Sequence, residues 1–306
     1  MLPAVNGPGE QFLTDLDQIQ SAMNTVQRQL SSGLRVGQAS DDPSAVPSIL
    51  ELQSEIAQNT QAQTNLNQVK TELLTGDASL QQAVTLVEQA TTLAAQAASG
   101  TSTDTQNASL AAQIQGIQQQ LVNLSNTTVG GRYIFSGDSD EQAAYALDST
   151  QPNGVRQLSP ATSTMAITDV NGNTLWKPMT AQQIFDARNT DGSNAAGNVF
   201  AAVNSLLTAL QNNDSSAATA SVESLNAADD YLNQQLGLIG IAEDRVENAT
   251  TAASQSVTTE TADLGTLRDA DTAGDAIQLS QLNTQQQAAL SARATMSQSN
   301  LFDFLA

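Results

Sequence analysis

Residues 12–30, FLTDLDQIQSAMNTVQRQL, decide how the rest of the chain is read. Phe12, Leu16, Ile19, Met23, Val26 and Leu30 recur at steps of 4, 3, 4, 3 and 4 residues. That alternation is the apolar seam of a coiled coil: one narrow stripe on an otherwise polar helix. A helix of this length is marginal in water by itself, so the stripe needs a partner. The helix is expected to end at Gly33, where a left-handed C′ residue costs least.

Moving outward, Met1–Gly9 holds two prolines and two glycines and reads as a flexible arm. On the other side comes Ser40-Asp41-Asp42-Pro43. An aspartate accepts the orphan amide protons of a helix start, and proline fits the first turn. With Asp41 and Asp42 as turn and cap and Pro43 as first helical residue, the spacing predicts a helix to about Leu74. Its seam is Ile49, Leu52, Ile56, Asn59, Gln63, Leu66 and Leu73, with Pro47 tolerated in the first turn. Gly76-Asp77 is expected to break it. Leu80, Val84, Val87, Thr91 and Ala94 then carry a third helix to about Ser99. A turn at 100–105 precedes a fourth, from Ala108 to about Val129, through Leu110, Ile114, Ile117, Leu121 and Leu124.

The character changes at Gly130. Gly, Pro, Asn, Asp and Thr dominate to about Asn198, and Asn171-Gly172, flanked by Met165, Ile167, Val170, Leu175 and Trp176, is a strong hairpin signal. This predicts a small inserted β domain, with Trp176 as core. Helical spacing returns at Val199, with Val203, Leu206, Leu207 and Leu210. A dilute seam follows in 217–268: Leu236, Glu243, Val246, Ala253, Val257, Leu264 and Leu267, interrupted by Gly237, Gly240 and Gly265. A last helix is expected from about Ala276, with Leu279, Leu282, Ala289 and Met296 on one side and Leu290 nearby. It ends in the apolar cluster Leu301-Phe302-Asp303-Phe304-Leu305.

The fold class is therefore mainly α with a small β insert: a rod of long helices and coiled coils built from both termini. The expected division is 1–39 and 269–306 as the two halves of a terminal coiled coil, 40–135 and 199–268 as a helical rod, and 136–198 as the insert. The closing helix is the natural antiparallel cover for the opening seam. Both terminal segments are expected to order fully only in an assembly. The assembly residues are Phe12, Leu16, Ile19, Met23, Val26 and Leu30 at one end, and Leu279, Leu282, Leu290, Leu301, Phe302, Phe304 and Leu305 at the other.

Composition narrows the function. With 10 Lys+Arg against 31 Asp+Glu the net charge is −21 and the pI near 4.1. Such a surface repels phosphates and anionic lipid, so no nucleic-acid binding and no membrane insertion are expected. The start of the chain lacks the basic and apolar regions of a secretory signal, and no stretch reaches the apolar length of a membrane span. With no His and no Cys, thiol nucleophiles, disulfides, Ser-His pairs and the usual zinc ligands are absent. No phosphate-cradling glycine loop and no Gly-x-Ser-x-Gly occurs. Asp169-x-Asn171-x-Asn173 and Asp269-x-Asp271 faintly resemble calcium loops. The twelfth positions are Thr180 and Ser280, however, and neither supplies the closing bidentate carboxylate. No cofactor, no metal and no enzymatic activity are expected.

Gln29-Leu30-Ser31-Ser32-Gly33-Leu34-Arg35-Val36 with Ser40-Asp41-Asp42-Pro43 resembles the N-terminal signature of the flagellin superfamily. The Asp-Asp-Pro form is similar to its hook-associated protein 3 (FlgL) family. Asn126-Thr127-Thr128 with Gly131-Arg132-Tyr133-Ile134-Phe135-Ser136-Gly137 resembles the segment leading into that family's β domain. Gln287-Ala288-Ala289-Leu290 and Leu301–Leu305 resemble its closing helix and tail. The arm 1–9 and Gly240–Arg245 depart from the family's pattern.

The resemblance implies a secreted structural subunit of the bacterial flagellum, exported through the flagellar type III apparatus. It implies homo-oligomerisation in one layer at the hook–filament junction, between a preceding hook-associated protein and flagellin. It also implies a cytosolic chaperone holding the C-terminal helix before export. Two alternatives stay open: a bulk filament subunit, and a secreted adhesin or carbohydrate-binding module using the β insert.

Overall fold

A computed structural model describes residues 8–100, 102–159 and 162–302, with the backbone alone described at 8, 9 and 295–302. Seven α-helices and six short strands follow in the order α1 (Pro8–Ser32), α2 (Val46–Ala98), α3 (Asp104–Ser125), β1 (Thr128–Val129), β2 (Arg132–Tyr133), β3 (Tyr145–Leu147), β4 (Val155–Gln157), β5 (Ile167–Thr168), β6 (Thr174–Trp176), α4 (Ala181–Phe185), α5 (Val199–Gln211), α6 (Ser215–Arg268) and α7 (Thr272–Phe302). The fold is mainly α, as expected. No described helix is long and apolar enough to cross a membrane.

The chain forms two compact units. One comprises the chain up to Gln58 together with everything from Gln255 onward; the other is Asn59–Ser254. The first unit thus reaches further into the chain than residues 39 and 269. Its small core explains the extent: Val36, Ile49 and Leu264 are buried together, with Ala45, Leu52, Ile56 and Leu267 packed against them.

In the second unit one core runs through parts of α2 and α6, all of α3 and α5, and the hairpin region. α2 is a single helix; the expected break at Gly76-Asp77 is absent. The seam keeps its 3-4 phase straight through the glycine, as Leu66, Leu73, Gly76, Leu80, Ala83, Val87, Ala90, Ala94 and Ala97, all buried. Gly76 lies under Phe135 and Ile239, whose side chains would stand 3.6–3.7 Å from a Cβ placed there. This packing offsets the cost, about 1 kcal/mol, of a glycine in a helix.

α6 is also unbroken; its expected seam holds from Val246 onward, where Ala253 and Leu264 are buried and Leu267 packs beside them, but not before it. In its first part the buried positions are Ala218, Ser221, Leu225, Ala228, Leu232, Gln235, Ile239, Ala242 and Val246, while Leu236 and Glu243 are only half-buried. Small and polar residues hide the true phase. α3 begins at Asp104, before the expected Ala108, because Thr103 and Gln106 form a reciprocal capping box. α7 likewise begins early, at Thr272, with Gly274 N donating to Asp271 Oδ1 at 3.0 Å.

Among the described residues the strands form three separate antiparallel hairpins rather than one sheet: β1–β2 just ahead of the insert, and β3–β4 and β5–β6 within it. The Asn171-Gly172 turn closes β5–β6, with Gly172 at φ +84°. Two-stranded hairpins are marginal alone. These share the helices' core: Tyr145, Val155, Leu175, Ile184 and Phe185 are buried with Val199 and Phe200, and Trp176 packs at the edge.

Within that core lies a buried carboxylate that sequence reading did not single out. Asp186 accepts hydrogen bonds from Tyr145 Oη (2.9 Å), Asn153 Nδ2 (3.0 Å), Asn198 Nδ2 (2.8 Å), and Arg188 Nε (3.1 Å) and Nη2 (2.8 Å). Asn198 in turn caps α5, accepting from Ala201 N at 2.9 Å. One charge thereby ties a hairpin, a loop and a helix start together. Burial pushes the Tyr145 hydroxyl above its ordinary pKa, with the Asp186 charge adding to the effect.

Candidate assembly interface

The signature residues 29–43 build the connection that folds the first unit back on itself. α1 ends at Ser32, and Gly33 takes φ +71° with its N–H on Gln29 O at 2.7 Å. Leu34 forms an antiparallel bridge with Asp269. Arg35 N and Val36 N both donate to Arg268 O, at 2.7 and 3.1 Å, and Ala270 N donates to Gly33 O at 3.0 Å. The Arg35 guanidinium bonds Leu267 O and, at 3.1 Å, Asp42 Oδ2.

Asp41 and Asp42 each close a turn ahead of α2. Asp41 accepts from Gly37 N (3.1 Å) and Gln38 N (3.0 Å). Asp42 accepts from Ser44 Oγ (2.6 Å) and Ala45 N (3.2 Å). The backbone amide of Gln38 leads in holding the Asp41 carboxyl below its usual range, and the Ser44 hydroxyl does so for Asp42. Pro43 is not the first helical residue. It lies in a turn, and α2 begins at Val46, with Pro47 in its first turn as expected.

From this connection α1 and α7 run antiparallel. The Arg293 guanidinium lies 5.7 Å from the centroid of the Phe12 ring. Counting from this contact along both helices, with Asp275, Leu279, Leu282, Gln286 and Ala289 all half-buried on α7, gives the layers. Leu16 comes level with Ala289, Ile19 with Gln286, Met23 with Leu282, Val26 with Leu279, and Leu30 with Asp275. The α1 side of every layer is apolar; the α7 side is polar in three of six.

Coverage is accordingly incomplete. Of the α1 seam Val26 alone is buried, at 3% exposed; Phe12, Leu16, Ile19, Met23 and Leu30 are half-buried. Leu279 and Leu282 are half-buried in the same way. Leu290 stands apart: it is off the seam and 50% exposed, as is Ile277 on the same helix at 62%. Leu301 and Phe302 continue the α7 backbone, with side chains outside the described residues. Phe304 and Leu305, and most of the arm 1–9, also lie outside the described residues.

The two expected near-calcium loops are used internally. Asp169 accepts from Asn171 N (2.9 Å), Asn173 N (2.8 Å) and Asn173 Nδ2 (2.9 Å), and Asp271 caps α7. Among the described residues no group of three or more acidic side chains is arranged to hold a metal.

Comparison with known proteins agrees with this geometry. The bacterial flagellin N-terminal helical region matches residues 5–140, and the bacterial flagellin C-terminal helical region matches residues 222–305. Flagellar hook-associated protein 3 of Escherichia coli (strain K12) is 32% identical over 188 residues, covering 60% of this chain and 58% of that protein. Flagellar hook-associated protein 3 of Salmonella typhimurium is 30% identical over 207 residues, covering 66% and 64%. The chain thus spans about three fifths of the length of these relatives. A solved structure of a putative flagellar hook-associated protein from Vibrio parahaemolyticus shares the fold with TM-score 0.64 at 20% identity, over 74% of this chain and 99% of that one. By its helical ends, its signature segments and the two flagellin regions that match most of its length, the chain belongs to the bacterial flagellin family and is similar to hook-associated protein 3.

Proposed function

We propose that this protein is a non-enzymatic structural subunit of the hook–filament junction of the bacterial flagellum. It forms one homo-oligomeric layer that joins the preceding hook-associated protein to flagellin. The observation that carries this reading is the imbalance of the α1–α7 pair, where a continuous apolar stripe faces a helix that is half polar. A stripe left half in water is completed by further helices, and in a layered polymer those come from neighbouring subunits. In this reading 1–39 and 269–306 make the layer, 40–135 and 199–268 form the rod, and 136–198 is the insert it carries.

The protein reaches its site outside the cell through the flagellar type III apparatus. The exposed Ile277 and Leu290 of α7 suit a chaperone that covers this helix before export. Bulk filament flagellin is the second reading, and position separates the two. Labelled protein on intact flagella is expected as a single band near the hook, and label along the whole filament would decide for flagellin.

The functional test is Leu30→Asp in a strain whose own copy is deleted. The Asn59–Ser254 unit keeps its thermal unfolding transition, while incorporation and motility are lost. A motile strain carrying this change would sink the proposal.

A further inference from the structure

The β5–β6 hairpin borders two open grooves in the Asn59–Ser254 unit. On its β5 side, Met165 and Ile167 stand beside Val69 and Glu72 of α2, around a groove of about 630 Å³. On its β6 side, Trp176 and Lys177 stand beside Leu238, Ile241 and Arg245 of α6, around one of about 560 Å³. Both have apolar floors. Met165 is 68% exposed, Leu238 48% and Ile241 51%.

The grooves differ in charge. The first is lined by Glu72, Asp138 and Asp140, and its one cation, Arg132, is already bound to Asp140 through Nε at 2.6 Å. It is therefore acidic by two charges. The second is lined by Lys177 and Arg245 and by no acidic residue. Neither of these cations is in an ion pair among the described residues.

Two features of this arrangement are unusual. α6 already buries a full seam through Leu232, Ile239 and Val246, so its outward face should be polar. Instead Tyr231, Leu238, Ile241 and Arg245 make a second stripe beside the first. And in a chain with 31 acidic against 10 basic residues, two cations flank one apolar groove, neither in an ion pair among the described residues, although the Lys177 charge reaches Asp138 of its own chain.

We infer that the two grooves are the two halves of one repeating contact between copies of this chain. The Met165 side of one copy seats in the Leu238–Ile241 groove of the next, with Glu72 opposite Lys177 and Arg245. Charge complementarity selects a second copy as the occupant. The surface of this chain is acidic almost everywhere, and it carries, beside the same hairpin, an apolar groove of the matching sign. Because the joined surfaces differ, the contact is heterologous: every copy keeps one free half on each side, and copies add in a row or ring rather than pairing off. This rests on the junction reading for its setting in a layer, and on the grooves alone for its chemistry.

The absence of cysteine gives a clean test. The full-length chain carrying both Met165→Cys and Ile241→Cys, concentrated and treated with a short bis-maleimide, yields a ladder of dimers, trimers and higher species. Each single cysteine variant stays at background. Adding Lys177→Glu and Arg245→Glu lowers ladder yield at least tenfold, and further adding Glu72→Lys recovers part of it. All these positions are exposed or half-exposed, and circular dichroism of each variant verifies that it is folded.

No ladder from the double cysteine chain overturns the inference. So does a dimer from Ile241→Cys alone in equal yield, which marks a two-fold contact instead. The experiment needs only purified protein. A chain found at the hook–filament boundary that gives no ladder keeps the junction reading and loses this contact; a ladder from a chain absent from that boundary does the reverse.

Discussion

The α1–α7 pair and the core of Asn59–Ser254 draw on the same helical periodicity and end in different states. In the second unit, Leu80, Val87, Ile114, Leu206, Leu225 and Leu232 are wholly enclosed, and Phe185 lies 5.8 Å from Phe200 in a stacked pair. In the first, five of six α1 seam residues remain half in water. The polar groups differ in the same way. Asp186 is enclosed and saturated by five donors, whereas Gln286 and Asp275 sit level with Ile19 and Leu30 and offer them nothing apolar. Two helices enclose too little volume to bury a stripe on both sides; several helices and three hairpins do enclose it. The core of one unit is thus closed by its own residues, whereas the α1–α7 stripe of the other is left for neighbours.

The largest expected effect tests the saturated side. Asp186→Ala leaves Tyr145 and Asn153 with buried donors unmet and Arg188 without its partner, while Asn198 Nδ2 keeps Ala187 O and Asn194 Oδ1. The expected loss is about 3–5 kcal/mol in the stability of the second unit, read from denaturant unfolding. A loss below about 1 kcal/mol would mean that the network decorates the core instead of holding it.

A matched pair of truncations probes the contrast itself. Leu80→Ala empties a closed site, and about 2–5 kcal/mol is expected. Leu16→Ala removes a side chain already half solvated, so about 1 kcal/mol or less is expected in the monomer, together with a marked loss of incorporation into flagella. Equal losses in the monomer would abolish the distinction drawn between the two units.

Much of this was legible in the sequence, and the failures have physical causes. The α1 stripe reads directly because every seam residue is large and apolar. Asp41 and Asp42 read as turn and cap residues because local hydrogen bonding to the next few amides needs no distant information. Gly76 was misread because a glycine suggests a break. The signal that overrules it is phase, since Leu73, Gly76 and Leu80 keep the 3-4 step that a true break would reset. The α6 seam was misplaced only ahead of Val246, because alanine, serine and glutamine occupy it there, leaving Leu236 to draw the eye off phase. Leu290, expected among the assembly residues, lies off the α1–α7 seam, where Ala289 holds the position. The Asp186 hub and the two grooves were not legible, because their residues come from segments far apart in the chain that the hairpins bring together.

Reversing the deficit in the α1–α7 pair is expected to have a smaller effect. Gln286→Leu places an apolar side chain level with Ile19 and should stabilise the pair by about 1 kcal/mol. Amide exchange across α1 should slow accordingly in the monomer, while α3 and α5 exchange as before. Unchanged α1 exchange would show that coverage by α7 does not limit the order of this helix.

The smallest effect separates the units by pH. Desolvation, then the nearby Glu88 and Asp230, raises the Asp229 carboxyl above its ordinary 3.8; desolvation, then Asp77 and Asp244, raises Glu243 above 4.5. A raised carboxyl disfavours the charged fold, so this penalty is complete above the folded pKa and disappears as pH falls through it. Asp41 and Asp42 have the opposite sign: their stabilisation is complete above the ordinary carboxylate range and is lost as pH falls through their lowered values. Acidification from neutrality should therefore first tighten α6 around 229–246, leaving the 37–45 connection unaffected, and only at lower pH loosen that connection. Exchange corrected for intrinsic rates at each pH would follow both segments, and Asp229→Asn with Glu243→Gln should remove the early gain alone. If α6 and the connection instead weakened over one shared pH window, desolvated carboxyls on α6 would not be what distinguishes the second unit from the first.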